Sequence, residues 1–142
     1  MIAYFDASAI VKVLIAEEDS EQAARIWDTV ERLYTSTLSY TECRAALAAA
    51  KRAGRLTENS LGTARFDLER AFMEVDYVDV TRQLVRAAGD LADTRALPGY
   101  DAVHLASALV LGSPDVTLVT WDRDLAAAGR ELGFDLAGIR LR

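Results

Sequence analysis

Several residue types and patterns are scarce in this chain, and each scarcity excludes a class of protein. One cysteine, Cys43, stands among 142 residues, which excludes an internal disulfide and a thiolate zinc site. No apolar run approaches the ~20 residues that a membrane-spanning helix needs. No positive charge precedes Asp6 at the N-terminus, so we expect no secretory signal and a cytoplasmic protein.

Positive charge is scarce as well. The chain has 16 lysines and arginines against 22 acids, which gives a formal net charge of −6. Such a balance argues against a general electrostatic attraction to nucleic acid. A nucleic-acid substrate therefore requires that some of the acids be neutralised, for example by bound divalent metal.

The apolar patterns that are present predict strands alternating with helices. Strands are predicted at residues 2–5, 34–38, 77–80, 116–120 and 134–139. Helices are predicted from residue 8 to 15, 20 to about 33, 39 to 52, 57 to 75, 81 to 96, 101 to 111 and 122 to 133. This alternation implies crossover connections, and hence an α/β fold with a mainly parallel central sheet and helices on both faces. Since we find no repeat, linker or low-complexity segment, we expect one domain over residues 1–142.

Four acids follow predicted strands or begin predicted helices. Asp6 ends the first strand, Glu42 comes shortly after the second, Asp101 begins a helix, and Asp122 follows residues 116–120. In open parallel sheets ligands bind beyond the carboxyl ends of the strands, so the topology can gather these acids at one edge. Carboxylates are the ligands that Mg2+ prefers, and four of them suit one or two ions. Two such ions can activate water for the hydrolysis of a phosphodiester bond.

Each of these acids also has a purely structural interpretation. Asp6 and Asp122 can cap helices, Asp101 stands in a first turn, and residues 39–42 spell a capping box that ends at Glu42. Capping explains each acid separately. It does not explain why the acid after the opening strand has counterparts at the other sheet positions, and we therefore favour a joint metal site.

Other polar residues near these positions are weaker candidates. Asp124 can be an additional ligand, but an exposed acid in a first helical turn is the more common case. Ser8 and Thr120 can orient a carboxylate or act as caps. We predict His104 to be a buried, hydrogen-bonded histidine rather than a base, and Cys43 to pack in the core.

Four segments resemble motifs of a known family, the PIN-domain ribonucleases and in particular the VapC toxins of bacterial and archaeal toxin–antitoxin pairs. Residues 4–12 resemble the first acidic motif, and residues 39–42 with the Ala-rich helix resemble the second. Residues 101–108, with the sequence DAVHLASA, are the most specific match, and residues 118–125 resemble the fourth motif. The resemblance spans the whole chain, although Trp121 occupies a position that varies in the family.

The resemblance implies a function, a cofactor and partners. Asp6, Glu42, Asp101 and Asp122 would be catalytic ligands for Mg2+ (or Mn2+), with Asp6 and Asp101 the firmest, and Thr120 would support them. The substrate would be RNA, cut by an endoribonuclease that is the toxin of its pair. A homodimer and inhibition by a cognate, VapB-like antitoxin are also implied.

Three other functions compete with this hypothesis. Phosphatases of the aspartyl-phosphate class also place an acid after the first strand, but they usually carry a second Asp two residues later, where this chain has Ser8. Response-regulator receivers gather acids at one sheet edge, but here no acidic pair closes the first strand and no lysine follows Thr120. A non-catalytic PIN-like binding module would keep the fold without the chemistry, and the presence of all four acids argues against it.

Overall fold

A computed structural model describes residues 1–112 and 115–141, in which the chain forms five strands and seven helices. The predicted breaking signal at Ser113 and Pro114 lies outside the described residues. The strands are β1 (Ile2–Phe5), β2 (Arg32–Ser36), β3 (Asp76–Val78), β4 (Val116–Thr120) and β5 (Asp135–Gly138). The helices are α1 (Ala7–Leu14), α2 (Ser20–Thr29), α3 (Leu38–Arg52), α4 (Glu58–Glu74), α5 (Arg82–Arg95), α6 (Gly99–Leu111) and α7 (Arg123–Glu131).

The five strands form one parallel sheet in the order β3-β2-β1-β4-β5. β1 is central, and its residue Ile2 pairs with Arg32 of β2 on one side and with Val116 of β4 on the other. Because all strands run in the same direction, their carboxyl ends lie at one edge. The predicted α/β class and parallel sheet are confirmed.

The alternation of side chains along β1 divides the core between the two faces of the sheet. Tyr4 packs on one face, where α5, α6 and α7 contribute Leu84, Leu105 and Leu125. Ala3 and Phe5 pack on the other face, against side chains from α1, α3 and α4, namely Ile10, Leu47 and Leu68. Each fully buried leucine contributes about 1.5–3 kcal/mol to folding, so the two layers hold the strand ends in place. Each helix in the described part of the chain is too short or too polar to cross a bilayer.

The junction between the second helix and the second strand differs from the prediction. α2 ends at Thr29, whereas the helical spacing of apolar residues predicted an end near Leu33. Leu33 lies in β2, opposite Ala3 of β1, and is 9% exposed. Pairing with the central strand therefore outweighs the helical periodicity. At the other end of β2, Leu38 was predicted as strand but begins α3.

The structure also excludes the alternative interpretation in which residues 39–42 form a capping box. Ser39 lies inside α3 and is fully buried, and its hydroxyl lies 2.7 Å from that of Thr35, which donates its own proton to the carbonyl oxygen of Phe5. The Glu42 carboxylate contacts His104 instead of the helix terminus. The remaining boundaries shift slightly: β3 ends at Val78, and α6 begins two residues before Asp101.

Candidate metal centre

The carboxyl ends of two adjacent strands carry the first pair of predicted site residues. Asp6 directly follows β1, and Asp122 follows β4 after one intervening residue. Because β1 and β4 are parallel neighbours, both acids leave the sheet at the same edge. The backbone N–H of Asp6 donates to the carbonyl oxygen of Val119 (3.3 Å), which keeps the two strand ends together.

The Asp6 carboxylate is 4% exposed and is held by three hydrogen bonds. Oδ1 accepts from the Ser8 hydroxyl (2.7 Å) and the Ala9 N–H (3.1 Å), and Oδ2 accepts from the Thr120 hydroxyl (2.7 Å). Burial raises the pKa of Asp6, although the charge of His104 and these hydrogen bonds oppose the increase. The bond from Ala9 also caps α1, so Asp6 serves as a helix cap and lies at the predicted site at the same time.

Thr120 connects Asp6 to Asp122. Its hydroxyl donates to Asp6 and accepts from the backbone N–H of Asp122 (3.0 Å). The Asp122 Oδ1 in turn accepts from the N–H of Leu125 (2.9 Å) and caps α7. Thr120 is fully buried at the end of β4, so a single hydroxyl orients one acid and anchors the backbone of another.

Asp101 lies in the first turn of α6 and is 4% exposed. Burial, together with the negative charges of Asp122 and Asp6, raises the pKa of Asp101 to about 7. His104 opposes this increase and Glu42 adds to it. The other three predicted site acids are therefore close enough to influence the ionisation of Asp101, and the fold brings all four to one sheet edge.

Glu42 is held by the only histidine of the chain. Its Oε1 lies 2.5 Å from His104 Nε2, and His104 Nδ1 lies 2.7 Å from the hydroxyl oxygen of Tyr4. The prediction of a buried, hydrogen-bonded His104 is confirmed, but its two partners were not anticipated. Two signals were available in the sequence. His104 follows Asp101 by three residues on one helix, and Tyr4 lies on the predicted strand that ends at Asp6.

Two weaker candidates, the acid Asp124 and the thiol Cys43, lie in environments that differ from those of the four acids. Asp124 is exposed in the first turn of α7, as the structural interpretation predicted. Cys43 is fully buried, and burial raises the pKa of its thiol far above the range of a reactive cysteine. Its predicted role in core packing is confirmed, since it belongs to the same apolar cluster as Phe5 and Leu47.

A surface pocket of about 350 Å3 adjoins this cluster of acids. Glu42 and Ser8 form part of its wall, and Trp121 and Lys12 form another part. The Lys12 ammonium lies 5.5 Å from the ring centroid of Trp121 and 3.3 Å from a carboxylate oxygen of Glu17. An aromatic ring and a cation thus stand beside the acids.

The four acids suit a divalent cation by their chemistry and charge. Among the described residues, no group of three or more His, Cys, Asp or Glu side chains is arranged closely enough to hold a metal ion. In this structure Glu42 is engaged by His104, and Asp6 by Ser8 and Thr120. The donors are all carboxylates, the ligands of Mg2+ and Mn2+. A cation would also relieve the repulsion that helps to raise the pKa of Asp101.

Comparisons of the sequence with known proteins cover nearly its whole length. Residues 3–131 match the model of the PIN domain family, and this range includes all four acids. The chain is 43% identical over 140 residues to Ribonuclease VapC45 of Mycobacterium tuberculosis (strain CDC 1551 / Oshkosh). It is equally similar to Ribonuclease VapC49 of strain ATCC 25618 / H37Rv. Both alignments cover 99% of this chain and 97% of the relative.

Comparisons of the structure with solved structures find the same fold. PAE2754 from Pyrobaculum aerophilum gives a TM-score of 0.72 at 23% identity, covering 96% of this chain and 92% of that chain. The sarcin-ricin loop cleaving toxin VapC20 of M. tuberculosis gives 0.69 at 22% identity, covering 89% and 95%. A toxin–antitoxin complex of M. tuberculosis, VapBC-5, gives 0.64 at 18% identity, covering 97% and 98%. At these identities the similarity establishes the fold alone.

Proposed function

Because this chain belongs to the PIN domain family and is closely similar to VapC ribonucleases, we propose that it is a metal-dependent endoribonuclease and the toxin of a toxin–antitoxin pair. The observation that carries this proposal is the burial of two of the four acids, since Asp6 and Asp101 are each only 4% exposed. The negative charges of the other three acids help to raise the pKa of Asp101, in agreement with this crowding. Buried acids that repel one another destabilise a fold unless a ligand compensates for them, and perturbed acids in such a position are typical of functional sites.

In this proposal Asp6, Glu42, Asp101 and Asp122 hold Mg2+ or Mn2+. When bound, such a cation stabilises charge on the scissile phosphate and lowers the pKa of an attacking water. The role of the chain is to hold the individual carboxylates at this edge of the sheet, although no three of them are arranged around one cation position in this structure. Thr120 and Ser8 fix the Asp6 carboxylate, and the N–H of Leu125 fixes that of Asp122.

The proposed substrate is an unpaired segment of RNA. Protein sites for single-stranded RNA commonly stack unpaired bases on aromatic rings and place cations near the phosphates. The pocket beside Glu42, with Trp121 and Lys12 in its wall, offers both groups next to the proposed metal. Lys12 is itself paired with Glu17 (3.3 Å), so the overall charge of −6 would have to be offset by metal bound at the four acids.

We further propose a VapB-like antitoxin and a second copy of the chain as protein partners. The relatives named VapC and the VapBC-5 complex support an antitoxin. Exposed apolar side chains on α4 offer contact area for a partner, since Phe66 is 64% and Met73 is 85% exposed.

The experiment that tests this function is incubation of total RNA with the purified protein in EDTA, Mg2+ or Mn2+. We expect discrete fragments in Mg2+ or Mn2+ and intact RNA in EDTA. The protein must be folded and free of a copurified inhibitor, which circular dichroism and mass spectrometry establish. Intact RNA under every condition would contradict a ribonuclease and favour the PIN-like binding module.

A conservative pair of substitutions at Thr120 tests how Asp6 is held. Thr120→Val keeps the side-chain shape but removes the hydroxyl that bonds Asp6 and the Asp122 N–H. We expect it to lower kcat by about 10- to 100-fold, the usual cost of losing a group that orients a ligand. Thr120→Ser keeps the hydroxyl and should stay within a few-fold of wild type. Equal rates for the two variants would show that this hydroxyl does not orient the site.

A further inference from the structure

A continuous chain of polar side chains runs from the central strand to one of the proposed ligands. The Tyr4 hydroxyl lies 2.7 Å from His104 Nδ1, and His104 Nε2 lies 2.5 Å from Glu42 Oε1. Tyr4 is 0% exposed and His104 is 1% exposed, whereas the Glu42 side chain is 24% exposed. Tyr4 and His104 thus form a buried support behind a partly exposed carboxylate.

We propose that His104 is a positioning residue for Glu42, and that Tyr4 fixes the imidazole ring in the orientation this requires. The proposal rests on the proposed function, since it assigns to Glu42 the role of a metal ligand. His104 holds one carboxylate oxygen and so keeps the Glu42 side chain in one conformation. The other oxygen is then already placed to bind a cation. His104 is not itself proposed to touch substrate or metal.

The direction of the hydrogen bonds follows from the chemistry of the groups. An ionised carboxylate only accepts hydrogen bonds, so His104 Nε2 carries the proton and donates to Glu42. Nδ1 is then bonded to the Tyr4 hydroxyl, which can donate to a neutral ring or accept from a charged one.

This arrangement has an energetic reason. A free glutamate side chain loses conformational entropy when it is fixed. If His104 fixes Glu42 during folding, this entropy is already lost before the metal binds. The affinity for the metal is then higher. Groups that hold metal ligands in this way typically change metal affinity or activity by about 10- to 100-fold. Simple core packing would be served as well by an apolar residue, without placing a polar chain in the interior.

Two substitutions of His104 by amide residues can distinguish the contacts of its two ring nitrogens. The Gln amide nitrogen reaches the place of His Nε2, whereas the Asn amide nitrogen reaches the place of Nδ1. His104→Gln can therefore still donate to Glu42, and His104→Asn can contact only Tyr4. We expect His104→Asn to weaken Mn2+ binding by about 10- to 100-fold and His104→Gln to weaken it by only a few-fold.

The measurement is the Kd for Mn2+ by titration calorimetry, with the Tm of each variant recorded in EDTA. Leu68→Ala is the matched control, since Leu68 is fully buried and apolar in α4. It should lower Tm and leave the Kd unchanged. Failure of the wild-type protein to bind Mn2+ would overturn the proposed metal site itself. Wild-type binding together with equal Kd values for the Asn and Gln variants would overturn the positioning role alone.

A second measurement needs neither metal nor an altered histidine. Because His104 is the only histidine, its ring nitrogens give one set of resonances in a nitrogen-15 NMR spectrum. In EDTA, we expect Glu42→Gln to shift the Nε2 resonance strongly, and Tyr4→Phe to shift mainly Nδ1. An Nε2 resonance unmoved by Glu42→Gln would overturn the contact on which the proposal stands.

Discussion

Asp101→Asn is expected to abolish RNA cleavage and, at the same time, to stabilise the metal-free protein. Without the Asp101 carboxylate, the transition state would lose several kcal/mol of stabilisation by a bound cation. This loss corresponds to a decrease in kcat of about 10³-fold or more. The gain in stability has a separate cause. Asp101 is 4% exposed beside Asp122 and Asp6, so its ionised form is disfavoured by burial and by repulsion in the folded protein. Asparagine keeps the volume and removes the charge.

The stabilisation by Asp101→Asn should depend on pH with a definite sign. The pKa of Asp101 is about 7 in the folded protein, well above its value of about 3.9 in an unfolded chain. A group with a raised pKa favours the fold below its unfolded value, and this contribution is lost as pH rises through the folded value. The difference between the variant and wild type should therefore be small near pH 4, grow up to pH 7 and become constant above it.

The size of this effect has an upper bound. Three pKa units correspond to about 4 kcal/mol, and relaxation of the acids in the metal-free protein reduces that figure. Urea unfolding in EDTA at several pH values measures it directly. Asp124→Asn is the matched control, because Asp124 is an exposed acid in a first helical turn near the same edge. We expect it to leave cleavage within a few-fold of wild type and stability nearly unchanged at every pH.

Two results would contradict this account of Asp101. Full cleavage by Asp101→Asn would remove Asp101 from the proposed ligands. Lower stability of Asp101→Asn than of wild type at pH 8 in EDTA would mean that its charge is satisfied in the folded protein. The second result would leave the cleavage test intact, since stability and activity are measured separately.

The strands and most helices were predictable because their signals are local. Thr57 was predicted to cap a helix, and its hydroxyl accepts from the N–H of Ser60 at the start of α4. The apolar run of β1 ends at Asp6 in both sequence and structure. The limits of α2 and β2 were wrong because they depend on a distant partner: Leu33 pairs with Ala3, some thirty residues away.

The placement of Asp6 and Asp122 at one edge was predictable from topology, since the strands that precede them are parallel neighbours. Asp101 follows a helix instead, so its position at this edge depends on how α6 packs. The individual contacts of the acids were not predictable. The structural alternative considered for Glu42 was a capping box, because the residues of that motif are adjacent in sequence. Its actual partner, His104, lies 62 residues later on another helix. Periodicity assigns a residue to a face of its own helix, but not to a side chain on another element.

The sequence pattern also did not predict the special position of one glycine, which depends on a neighbouring strand. Gly138 was predicted only as part of a final strand, yet the structure gives it a demanding position. It pairs with Thr120, and its φ of +110° is one that other residues rarely adopt. A Cβ atom there would lie 2.2 Å from the Thr120 carbonyl oxygen and 3.0 Å from the carbonyl carbon. The neighbour is backbone and cannot rotate away.

Gly138→Ala is therefore expected to be strongly destabilising. Backbone strain and the steric clash together should cost about 2–5 kcal/mol, or roughly 10 °C in Tm for a chain of this size. The displaced residue is Thr120, whose hydroxyl holds Asp6 and the backbone of Asp122. Cleavage at a temperature where the variant is still folded should consequently fall as well.

A second glycine supplies the comparison. Gly89 lies exposed in α5, and a Cβ atom there would meet nothing within 4 Å. Gly89→Ala should raise stability by about 0.5–1 kcal/mol, because alanine favours the helix. Thermal unfolding of the two variants measures both changes in stability. If Gly138→Ala unfolded within 2 °C of wild type, β5 would have to move away from β4 at little cost, and the support of Asp6 by Thr120 would not depend on the edge strand.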